Sequence, residues 1–126
     1  MRTLAKVVGL LAGLFYLTFG IWAFAAPESF YADIATYPPF NEHFMHDLGS
    51  FQIGLGVAAL AGLLLSDALA AVLAGAAAGS LMHGLSHIMD HGLGGRPSDP
   101  WTVTLVGIAI LCAFALALRR KGSRSR

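Results

Sequence analysis

Four apolar stretches decide what this chain can fold into. They run over about residues 4–26, 42–65, 68–91 and 101–118. A bilayer's hydrocarbon core of roughly 30 Å needs about 20 helical residues, so each stretch is long enough to cross it. Inside lipid every backbone N–H and C=O must be satisfied internally, so such runs are helices. Charge supports the same reading. Of 126 residues only 12% are charged and 56% are hydrophobic, whereas a soluble domain carries about a quarter charged residues. The expectation is an all-α, polytopic membrane protein. It is a single domain, an antiparallel four-helix transmembrane bundle, ending in a short basic tail at 119–126.

The breaks agree with four helices. Pro27 follows the first. Pro38-Pro39-Phe40-Asn41 precedes the second, with Asn41 as its N-cap. Ser66-Asp67 makes a tight hairpin whose residues can cap the third, and Gly92 suits a left-handed C-cap at its end. Asp99-Pro100 reads as a capping aspartate with proline at the first helical position. Gly75 and Gly79 form a small-x-x-x-small pattern in the third helix, expected to admit a neighbour inside the monomer. Gly49, Gly54 and Gly56 suggest its partner surface. Trp22, Tyr31, Tyr37 and Trp101 fall where an aromatic belt belongs.

Charge also orients the chain. Seven of the eight basic residues (Arg2, Lys6, Arg119, Arg120, Lys121, Arg124, Arg126) flank the first and last helices. The positive-inside rule then places both termini in the cytoplasm of a multi-pass plasma-membrane protein. Six of the seven acids (Glu28, Asp33, Glu42, Asp47, Asp90, Asp99) fall on the outer side. Met1–Ala26 also resembles a secretory signal, with Ala23-Phe24-Ala25 as a cleavage site. Its apolar run exceeds the usual signal core of about 7–15 residues, so it reads as a retained span. The single cysteine, Cys112, excludes an internal disulfide. The few basic residues sit at the membrane edge, which argues against nucleic-acid binding.

All five histidines lie in the outer half. At about 100° per residue, Ser80, His83, His87, Asp90 and His91 make one stripe about 100° wide on the third helix. His43, His46, Asp47 and Ser50 share a face of the second helix, and Glu42 stands four residues before His46. If these two helices are antiparallel neighbours, His46 lies level with His87 or His91. An ionisable group deep in a membrane is costly and is a functional-site hypothesis by default. Three readings follow. A transition metal (zinc, copper or iron) takes His46, His83 and His87 as ligands. His43, His91, Asp47, Asp90 and Glu42 then serve as further ligands or partners that fix imidazole tautomers. A haem takes His46 with His83 or His87. Or the groups form a buried polar network or proton site, in an accessory subunit or a carrier of small molecules or lipids. Whether the chain is an enzyme stays open. Its partners are the lipid bilayer and either further copies of itself or a larger membrane complex.

The stretches YPPFNEHFMHDLGSFQIGLG and HGLSHIMDHGLGGRPSDP resemble the small DoxX-like four-helix membrane proteins of actinobacterial type. The likeness covers most of the chain by layout: a first span, an outward loop, a polar start to the second helix, then a Gly-rich apolar run. It implies an association with membrane redox and thiol homeostasis. It transfers no catalytic residue, because histidine-rich elements do not mark that group.

Overall fold

The computed structural model describes residues 2–65 and 68–118. The expected Ser66-Asp67 hairpin and the basic segment 119–126 lie outside the described residues. Among the described residues there are five helices: α1 (Arg2–Ala25), α2 (Pro27–Asp33), α3 (Glu42–Leu64), α4 (Leu69–Met89) and α5 (Asp99–Leu118). All but α2 are long and apolar enough to cross a membrane. Their outer surfaces are oily: Leu64 is 87% exposed, Phe51 80% and Trp101 71%. Such continuous apolar exposure suits hydrocarbon and would aggregate a soluble protein.

The helix ends follow local chemistry. Asn41 caps α3, its Oδ1 accepting from the Phe44 N–H at 3.0 Å. The segment expected as a plain loop after α1 holds α2, which starts with proline at its first position and Glu28 in its first turn. Its Phe30 is buried and packs edge-on against Phe19 and Trp22, closing this end over Ala23 and Met45. α4 ends at Met89, two residues before His91. The left-handed glycines of the following turn are Gly94 and Gly95, and Gly92 is not one of them. α5 starts at Asp99, whose carboxylate accepts backward from the Arg96 N–H at 2.7 Å.

Two helix pairs carry the packing: α1 with α3, and α4 with α5. Glycine sets the first. A Cβ on Gly20 would lie 2.7 Å from the Ile53 nitrogen, and one on Gly56 would lie 2.7 Å from the Leu17 nitrogen. Gly20 meets Gly49, Gly13 meets Ala59 and Gly9 meets Leu63, so residue numbers rise along α1 as they fall along α3. α4 and α5 meet in the same sense through Gly84 against Thr104 and Gly107 against Leu81. The pairs join in a core of Ala12 and Tyr16 from α1, Leu73, Ala76 and Ala77 from α4, and Ile110 and Ala113 from α5.

The expected packing role of Gly75 and Gly79 is not realised within the described chain. A Cβ at either position, or at Gly54, would meet nothing within 4 Å. The packed stripe of α4 runs through Leu73, Ala77, Ser80 and Gly84. Gly75 and Gly79 lie about 200° round the helix from Leu73 and Ala77 respectively.

Candidate functional site

α3 and α4 are not the close neighbours expected. They touch where Gly62 faces Val72 and Leu69. Toward the α2 end a cavity of about 600 Å³ lies between them, bounded also by α1, α2, the 34–41 segment and α5. Phe15, Tyr16, Phe19, Phe30 and Phe44 give it an aromatic wall, with Ile34, Met45, Leu48, Val103 and Val106 filling between. Its polar groups come from α4 (Ser80, His83, Ser86, His87) and its C-cap Asp90, from the start of α5 (Asp99, Thr102), and from Tyr37, Asn41 and Gln52. The volume is that of a small-molecule site, typically about 300–1,000 Å³, and such sites join apolar walls to a few placed polar groups.

The α4 stripe forms as expected over Ser80, His83, His87 and Asp90, all of which line the cavity. The i,i+4 spacing brings His83 Nε2 and His87 Nε2 to 3.0 Å, with ring centroids 4.8 Å apart. The other nitrogen of His87, Nδ1, meets the Tyr37 hydroxyl at 2.8 Å. The three side chains therefore form a continuous hydrogen-bonded file along the polar wall. With Tyr37 donating, His87 accepts at Nδ1 and passes its Nε2–H to His83, which carries its own proton on Nδ1. Deeper in, Tyr16 bonds to Ser80, whose hydroxyl donates to the Ala76 carbonyl at 2.8 Å.

Tyr37 is the site residue that sequence reasoning missed, having assigned it to the aromatic belt. Two glycines hold it in place. Gly95 N–H donates to the Thr36 carbonyl at 3.1 Å. A Cβ on Gly94 would lie 2.6 Å from that carbonyl, and one on Gly95 would lie 2.5 Å from the Tyr37 hydroxyl. Both glycines have positive φ, so side chains there are disfavoured sterically and conformationally. The Arg96 guanidinium donates to the Asp33 carbonyl and clasps the same two segments. Burial pushes the Tyr37 phenol above its ordinary pKa of 10.0, and the Asp99 and Asp90 carboxylates push it further. The phenol is thus held neutral and able to donate, in a negative field.

The α3 cluster does not join this site. The His46 ring packs on Phe24 of α1, at 5.1 Å between centroids. His43 Nε2 lies 3.6 Å from Asp47 Oδ2 in a pair whose side chains are 86% and 58% exposed. An exposed pair of this kind contributes about 0–1 kcal/mol. Glu42 is exposed at the first turn of α3, and among the described ion pairs it makes none with His46 four residues on. His91 is exposed in the turn after α4. The physical reason is the helix pairing: α3 turns one face to α1, which draws His46 toward Phe24 and away from α4. The cross-helix pair of His46 with His83 or His87 that a haem would need is not made. Among the described residues, no three His, Cys, Asp or Glu side chains gather as a metal-holding group.

Comparison of this chain with protein-family models, with curated proteins and with solved structures finds no match.

Proposed function

We propose that this chain is an antiparallel four-helix membrane protein, with both termini cytoplasmic, that binds a lipophilic small molecule bearing a polar end. One observation carries the reading: the cavity of about 600 Å³, lined both by aromatic rings and by the Tyr37–His87–His83 file. The apolar wall takes the body of the ligand, and the file offers it hydrogen bonds. The basic ends of the sequence orient the cavity mouth outward. Phenylnaphthylamine, a neutral apolar fluorophore, tests this. Purified full-length protein in a neutral detergent should enhance its emission with saturation near one equivalent. Val103→Trp, which places an indole in the cavity, should abolish the saturable part. Equal signals from both proteins refute the reading.

A second reading is supported by the facing His83 and His87 nitrogens. Two nitrogens 3.0 Å apart are near the roughly 3.4 Å they would span around a tetrahedral zinc at about 2.1 Å, and nearer the roughly 3.0 Å of a square or octahedral copper or iron site. Asp90, on the same face, supplies a carboxylate as ligand or orienting group. If the site is enzymatic, such an ion activates water or oxygen. Elemental analysis decides it. Stoichiometric metal that is lost in both His83→Ala and His87→Ala supports the ion. A metal-free protein whose folding is unchanged in those variants removes it.

A further inference from the structure

We propose that the cavity selects a lipophilic cation, an amine or onium group on an apolar body. The inference rests on the cavity being a ligand site and adds the sign of charge that it accepts. Two carboxylates, Asp90 and Asp99, line the cavity, and among the described residues no lysine or arginine side chain does. Arg96, in the turn before α5, turns its guanidinium to the Asp33 carbonyl and gives Asp99 a backbone N–H. Among the described ion pairs neither carboxylate has a partner.

The histidines do not cancel this charge. Nε2 of His83 and Nε2 of His87 face each other at 3.0 Å. A hydrogen bond there requires one nitrogen to accept, so at least one imidazole is neutral. Two carboxylates against at most one imidazolium leave the wall net negative. Helix dipoles do not reverse it. Each long helix presents about half a charge at its end. α1 and α4 finish at this end of the molecule while α3 and α5 begin there, so the four contributions cancel. Side chains therefore set the sign. Aromatic rings line the same cavity, Phe19, Phe30 and Phe44 among them. Ring faces attract cations, and a desolvated site strengthens that attraction. A fatty acid or other lipophilic anion finds, among the described lining residues, no lysine or arginine to pair with and two carboxylates to repel it.

Tetraphenylphosphonium and tetraphenylborate have the same shape and opposite charge, and they make the test. Each is titrated by equilibrium dialysis into the full-length protein in neutral detergent, with Val103→Trp as the background. The phosphonium should bind at least roughly tenfold tighter than the borate, as expected for one or two charges acting across a partly wet site. Asp90→Asn combined with Asp99→Asn should erase most of that preference, while Asp90→Glu should keep it. Equal binding of the two ions, tighter borate binding, or a preference untouched by the double variant overturns the proposal. If phenylnaphthylamine still separates wild type from Val103→Trp, only the charge assignment falls. If it does not, the cavity reading falls too.

Discussion

At the scale of single residues, Tyr37 organises the polar wall, and its effect is testable by deletion of one oxygen. Tyr37→Phe keeps the ring and removes the hydroxyl that meets His87 Nδ1 at 2.8 Å. A hydrogen bond of this kind contributes about 0.5–1.5 kcal/mol, so the thermal midpoint should fall modestly. Nitrogen NMR of His87 should show its ring protons redistributing between Nδ1 and Nε2. The pH dependence has a definite sign. The folded-state phenol is raised above 10.0, first by burial and then by Asp99 and Asp90. The native state then holds its proton more tightly than the unfolded chain does. This contribution to stability is complete below pH 10 and is lost as pH rises through the folded value. Melting curves between pH 9 and about 11.5 should therefore show a smaller alkaline loss for Tyr37→Phe than for wild type. An identical loss would remove the coupling. The sequence places this tyrosine near the membrane edge but does not turn it inward. What turns it is a contact with Gly94 and Gly95, far along the chain, which no local pattern announces.

The helices show which glycines matter, and here sequence pattern misleads in an instructive way. Gly75 and Gly79 match the familiar four-residue spacing, yet that face is open. Gly13, Gly20, Gly49 and Gly56, seven apart within each helix, carry the close contact of α1 with α3. Seven residues return to nearly the same face after two turns, so the pattern was present in the sequence. What the sequence does not say is which helix each glycine meets, because α3 can pair with either neighbour. Gly49→Ala places a Cβ 2.8 Å from the Gly20 carbonyl oxygen and from the Phe24 nitrogen. Both are helix backbone and yield only if the helices separate, at a cost of about 1–3 kcal/mol. Gly79→Ala meets nothing within 4 Å. There, relief from glycine's helix cost, up to about 1 kcal/mol, should leave the protein as stable or more so. Thermal unfolding of the two variants in the same detergent separates them. A Gly79→Ala loss as large as that of Gly49→Ala would show that the open face is covered in the working protein. The α4–α5 turn allows a parallel test: Gly95→Ala collides with the Tyr37 hydroxyl and should perturb His87 as Tyr37→Phe does.

For the whole molecule, the four long apolar helices and their order were legible because hydrocarbon thickness and backbone satisfaction leave few alternatives. The α4 half of the site was legible too, since a stripe of ionisable groups follows directly from helical periodicity. The α3 half was not, because His43, His46 and Asp47 share a face whose direction depends on the choice of helix partner. Orientation is the remaining property of the whole, and the single cysteine makes it measurable. Cys112 lies on an exposed part of α5 among apolar neighbours, so Cys112→Ala gives a cysteine-free background at little cost. Into it, Leu93→Cys, in the exposed turn after α4, marks the end of the molecule that holds the cavity. A cysteine replacing Ser123 marks the basic tail. With the positive termini inside, a membrane-impermeant maleimide applied to intact cells should label the Leu93→Cys protein, and should label the tail only after the cells are opened. The reverse pattern would turn the cavity toward the cytoplasm. The ligand would then arrive from inside the cell, although the carboxylates, the aromatic wall and the histidine file would select it in the same way.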